Sequence, residues 1–80
     1  MENIMTVKQI ASALQTDIHA VYKIINDGQM KYMKLGGIKV RESEFNDFVR
    51  WMDGKDVDMD TGKITDRITG EVVARYPEKA

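Results

Sequence analysis

Eighty residues carry 12 basic and 13 acidic side chains, for a net charge of −1, so any attraction to a polyanion has to be local. The length predicts one small domain that buries roughly 60% of its unfolded surface around a thin core. Zero cysteines exclude disulfides and thiolate metal sites, and no apolar run approaches the roughly 18 residues that a membrane span needs. Met1-Glu2-Asn3-Ile4-Met5 lacks the basic and apolar parts of a secretory leader, which reads as a cytoplasmic protein.

A first helix is signalled by Thr6 as cap with Gln9 three residues later, the spacing of a capping box. Val7, Ile10, Ala11 and Leu14 follow as one apolar stripe. Gln15-Thr16-Asp17 leaves room only for a tight turn, and Asp17 is a good cap for a second helix. On that helix Ile18, Val21, Tyr22, Ile24 and Ile25 cluster on one side, and His19, Lys23 and Asn26 on the other. Gly28 is the expected stop.

Next comes Tyr32-Met33-Lys34-Leu35-Gly36-Gly37-Ile38-Lys39-Val40-Arg41. From Gly28 to Arg41 there are four cations and no acid. Gly36-Gly37 suits a two-residue type I′ turn. That turn predicts Leu35 opposite Ile38, Lys34 opposite Lys39, Met33 opposite Val40 and Tyr32 opposite Arg41. Alternation then gives an apolar face of Leu35, Ile38, Met33 and Val40, and a basic face of Tyr32, Arg41, Lys34 and Lys39. Facing lysines repel, a cost that a polyanion laid against them relieves. A solvated, edge-guarding lysine face is the alternative. Ser43 then caps a third helix with the stripe Phe45, Phe48, Val49 and Met52, ended by Asp53-Gly54. Phe45, Phe48 and Trp51 are read as core rather than as base-stacking platforms.

From Met5 to about Val49 the chain resembles the winged helix-turn-helix domain of the excisionase and MerR-like families. The resemblance is carried by Thr6-Val7-Lys8-Gln9-Ile10-Ala11 with Leu14, Val21-Tyr22-Lys23-Ile24-Ile25, Gly28, Lys34-Leu35-Gly36-Gly37, Lys39-Val40-Arg41, and Phe45 with Phe48. It implies a mainly α fold with a small β-hairpin, in the order helix, helix, hairpin wing, helix, followed by a C-terminal tail. It also implies a second helix in the major groove of double-stranded DNA and a wing on the backbone or minor groove. On this chain the helix contacts fall to Ile18, His19, Tyr22, Lys23 and Asn26, and the wing contacts to Tyr32, Lys34, Gly36, Gly37, Lys39 and Arg41. Ile18, His19 and Ala20 stand where these families often carry basic or hydroxyl groups. Ile18 or Ala20 can instead touch a thymine methyl.

The organisation read from this is a domain over residues 1–53, then an acidic linker and tail over 54–80. Residues 1–50 sum to +1 and residues 51–80 to −2. Gly54 to Gly62 looks like a calcium loop, but with Asp56 as position 1, Thr61 sits where Gly is required and Arg67 where the bidentate Glu belongs. Thr61-Gly62-Lys63-Ile64-Thr65 and Thr69-Gly70-Glu71-Val72-Val73 echo each other. Disorder is the default for this tail, with a small β-hairpin as the alternative and Pro77 ending its last strand.

No nucleophile–base pair, phosphate-cradling loop or metal-ligand cluster is apparent, so neither an enzyme nor a cofactor is expected. Two classes remain. One is a sequence-specific DNA-binding protein, an excisionase-like recombination factor or a small phage or mobile-element regulator, assisted by a recombinase or by self-association. The other is a protein-interaction adaptor on the same fold, with a transcriptional repressor as a further variant of DNA binding.

Overall fold

The computed structural model describes residues 3–76. Pro77, the expected end of the last strand, lies outside them, as do the first two residues. The elements in order are β1 (Ile4–Thr6), α1 (Val7–Leu14), α2 (Ile18–Asn26), β2 (Met33–Lys34), β3 (Ile38–Arg41), α3 (Glu42–Trp51), β4 (Lys55–Val57), β5 (Ile64–Asp66) and β6 (Val72–Val73). Two antiparallel three-stranded sheets result, in the orders β1-β3-β2 and β4-β5-β6.

This architecture corrects the expected layout of helix, helix, hairpin wing, helix and tail. The first element among the described residues is a strand, not a helix. β1 pairs with the far edge of β3, with Met5 opposite Val40 and Thr6 opposite Lys39. The hairpin is therefore two-thirds of a sheet. Three residues are too short to show alternation, and only β3 tells Ile4-Met5-Thr6 that it is a strand. The default of a disordered tail does not hold over residues 55–73, where the alternative of a small β-hairpin is extended to a three-stranded sheet.

The helix punctuation is local. Thr6 and Gln9 close the capping box, with the Gln9 N–H donating to Thr6 Oγ1 at 3.1 Å and the Thr6 N–H to Gln9 Oε1 at 2.9 Å. Asp17 Oδ1 accepts from the Ala20 N–H at 2.9 Å at the start of α2. Both helices end in paired closing bonds around a left-handed residue. After α1 that residue is Gln15, at φ 57°, with bonds from the Gln15 and Thr16 N–H groups to Ser12 and Ala11. After α2 it is Gly28, at φ 83°, with bonds from Gly28 and Gln29 to Ile25 and Ile24. α3 departs from expectation, because it starts at Glu42 with Arg41 in the cap position and no side-chain cap bond. β3 runs straight into it, and the Glu42 N–H donates to Asn3 O at 2.9 Å, extending the β1–β3 ladder to the helix start.

One core joins all of this. Val7, Ile10, Ala11, Val21, Ile24 and Ile25 from the helix pair meet Val40, Phe45, Phe48 and Met30, and Ile64 of β5 enters the same cluster fully buried. Each such side chain contributes on the order of 1.5–3 kcal/mol through burial, so the second sheet is held by hydrophobic contact with the first fifty residues. No helix among the described residues is long and apolar enough to cross a membrane.

Candidate nucleic-acid interface

The α1–α2 pair presents the N-terminal half of α2 to solvent. Ile18 and Tyr22 are exposed, although the periodicity groups them with the buried Val21, Ile24 and Ile25. His19 and Asn26 are exposed too. Lys23 is half-buried, and its ammonium donates to the Asp60 carbonyl at 3.0 Å. It is therefore engaged by the loop between β4 and β5. Next to that bond the loop lies directly on the helix backbone, and a Cβ on Gly62 would collide with the Lys23 carbonyl. The sequence gives no sign of this contact, because Lys23 and Asp60 are 37 positions apart.

The hairpin register differs from the expected one by a single residue. Lys34 lies opposite Ile38, and Met33 opposite Lys39. The loop is the three residues Leu35-Gly36-Gly37, and Gly37 has φ 146°, outside the range of a type I′ turn. The Leu35 N–H donates to Gly37 O at 2.9 Å. The cause lies on the other edge of β3, where pairing with β1 and burial of Val40 set the strand, and β2 joins in the register left to it. Two consequences follow. Lys34 now shares a face with Ile38 and Lys39 with Met33, so the expected single basic face of Tyr32, Arg41, Lys34 and Lys39 is divided between the two sides of the hairpin, and the like-charge cost goes with it. Leu35 leaves the expected apolar face and stands 61% exposed at the tip.

Tyr32, Lys34, Gly36, Gly37 and Arg41 are exposed, and Lys39 is half-buried. Lys34 makes no ion pair among the described residues, and the Lys39 ammonium makes only a 3.4 Å contact with Leu35 O. Many cations elsewhere are committed. Arg75 pairs with Glu44 at 2.7 Å, Arg50 with Asp47 at 3.3 Å and Arg67 with Asp56 at 3.8 Å. Lys55 donates to Trp51 O and sits over the Trp51 ring, and Lys31 sits over the Tyr76 ring. At the base of the hairpin a cleft of about 200 Å³ is lined by Tyr32, Met33 and Arg41 on one side and Glu44 and Asp47 on the other, so the basic surface ends where α3 begins.

Glu44 is the most heavily bonded side chain of this region. Its carboxylate accepts from the Lys31 N–H at 3.0 Å, Arg75 at 2.7 Å and the Tyr76 hydroxyl at 2.9 Å. Burial works to raise its pKa, but the bonds from Lys31, Arg75 and Tyr76 outweigh it and hold the carboxyl below its usual 4.5. Burial, with Glu44 alongside, pushes the Tyr76 hydroxyl above its usual 10.0. Arg75 also reaches back to the buried Gln29, its N–H bonding Oε1 and its guanidinium the carbonyl. This clasp fixes the segment between α2 and the hairpin. Among the described residues, no three His, Cys, Asp or Glu come together so as to hold a metal ion.

No family model matches the chain, and neither a curated protein nor a solved structure is detectably similar to it.

Proposed function

We propose that this protein binds double-stranded DNA in the cytoplasm, through the outer face of α2 and the Lys34–Lys39 hairpin, as a small excisionase-like or regulatory factor. The observation that carries the reading is the contrast among cations. Arg50, Arg67 and Arg75 are paired within the fold, while the exposed hairpin gathers Lys34, which has no ion pair among the described residues, and Lys39, which has one long contact; Lys8 and Lys63 also lack an ion pair there but lie singly elsewhere. Exposed cations gathered on one hairpin suit phosphate contacts, which carry affinity without sequence information. Ile18, His19 and Asn26, exposed near the two ends of α2, are suited to base edges and thymine methyls. Lys23, held on Asp60, has no place in this reading set. A single short helix and one hairpin make a small footprint, which favours a factor that works beside a recombinase or another copy.

Selection from randomised duplexes with the full chain tests this directly. About four phosphate contacts give a slope of log K against log salt of roughly −3 to −4. Lys34→Ala with Lys39→Ala should weaken all duplexes alike and make that slope shallower by about 2. Undiminished affinity in the double variant would remove the hairpin from the interface, and failure to enrich or retain any duplex would end the proposal.

A further inference from the structure

A second surface lies between the end of α1, α2, α3 and β4. It is an open groove of about 220 Å³. That is below the roughly 300–1,000 Å³ of small-molecule sites and of a size for one or two side chains. Its floor is formed by the buried Ala20, Ile24 and Phe48, and its rim includes Val49, Met52 and Met59. Val49 and Met59 are 40% and 50% exposed. Val49 belongs to the apolar stripe of α3, yet the described residues leave it exposed. Unbranched methionines on a rim adapt to partner side chains of varied shape.

The charges around this groove say what fits it. Asp17, Asp53, Asp58 and Asp60 each adjoin a lining residue in sequence and are exposed; the Asp17 and Asp58 carboxylates also accept backbone N–H groups of the fold, whereas Asp53 and Asp60 make no side-chain ion pair among the described residues. The cations adjoining lining positions are Lys23 and Arg50, and these are bound to the Asp60 carbonyl and to Asp47. Arg50 is neutralised by Asp47 while Lys23 keeps its charge on a neutral carbonyl, so four aspartates against one lysine leave the surround net acidic, the opposite of the hairpin. We infer that the groove docks an amphipathic helix of a partner protein, one that presents an apolar anchor flanked by lysine or arginine. The anchor fills the groove over Phe48, and the flanking cations meet the aspartates, in the manner of helix-in-groove recognition. This site is independent of the DNA proposal and uses none of its residues.

The test titrates the full chain with two synthetic helical peptides. Both carry leucine at i, i+4 and i+7. One has lysine at the remaining positions and the other glutamate. Methyl NMR signals of Val49, Met52 and Met59 report occupancy. Saturable shifts at these methyls with the lysine peptide are expected, with binding at least about tenfold weaker for the glutamate peptide. Met59→Lys should weaken the lysine peptide about tenfold, and Asp53→Asn with Asp60→Asn about threefold, while the Val40 methyls stay where they are. The inference fails if neither peptide saturates, if both bind alike, or if both sets of variants bind as the parent does. It also fails if the same methyls shift on concentrating the chain alone, because the occupant is then a second copy.

Discussion

Two turns of the second sheet have the same chemistry and different fates. Asp58-Met59-Asp60-Thr61-Gly62-Lys63 and Asp66-Arg67-Ile68-Thr69-Gly70-Glu71 lie eight positions apart and close with matching bonds. In each, the aspartate Oδ1 accepts two backbone N–H groups, from Asp60 and Thr61 in the first turn and from Ile68 and Thr69 in the second. In each, the glycine N–H returns to the aspartate carbonyl, and the threonine hydroxyl accepts from the residue after the glycine. Yet Gly62 is pressed on the Lys23 carbonyl, while a Cβ on Gly70 meets open space. Two positions later, Ile64 is fully buried and Val72 is 66% exposed. A D-x-x-T-G turn builds itself, and burial is then assigned by what stands opposite, which here is α2 for the first turn and solvent for the second.

The widest gap between the turns should appear in the side chains they deliver. Ile64→Ala is expected to cost about 3–4 kcal/mol, while Val72→Ala should stay within about 0.5 kcal/mol, both read by urea unfolding. Equal costs would mean that the second sheet docks differently. Gly62→Ala combines a positive φ with a backbone collision and should cost about 3 kcal/mol, whereas Gly70→Ala carries only the left-handed penalty of about 1 kcal/mol. If the two alanine variants melt together, the first turn does not rest on α2.

The second turn lacks such a dock, and the chain beyond it is held by the Glu44 clasp. Glu44→Gln leaves the nearly buried Arg75 without its counter-charge and should cost about 2–3 kcal/mol. Amide exchange should rise around Lys31 and the C-terminal segment more than at Ile64. The same group sets an acid limb. Its folded pKa is lowered, so its contribution is complete above 4.5 and is lost as pH falls through the lowered value. Asp66 acts with the same sign below 3.8, because the Ile68 and Thr69 N–H groups favour its charged form. Unfolding measured against pH should therefore show a shallower acid limb in Glu44→Gln. The smallest effect belongs to Lys23→Met, which removes one exposed bond to Asp60 and should change stability by about 0.5 kcal/mol or less. Under the DNA proposal it leaves sequence preference unaltered.

How much could be read in advance follows from the span of each bond. Thr6 with Gln9, Asp17 with Ala20 and Gly28 as a stop are legible because donor and acceptor lie within five residues. The echo of Thr61-Gly62 in Thr69-Gly70 is visible too, although the aspartates that make both units turns pass unnoticed, because acidic residues there read as a solvated linker. Of the candidate site, the exposure of His19, Asn26, Tyr32 and Lys34 agrees with the sequence pattern. The engagement of Lys23 does not, because its partner is 37 positions away.

By itself, then, the sequence determined three helices, the caps of the first two at Thr6 and Asp17, the stop at Gly28 and the cation-rich run before Arg41. Each of these rests on short-range hydrogen bonds and periodicity. The tertiary structure alone decided that Ile4-Met5-Thr6 is a strand, that the hairpin closes one residue out of the expected register, and that Ile64 rather than Val72 joins the core. Those outcomes depend on which distant surface offers a ladder or an apolar face, and a strand of two or three residues carries too little pattern to announce its partner.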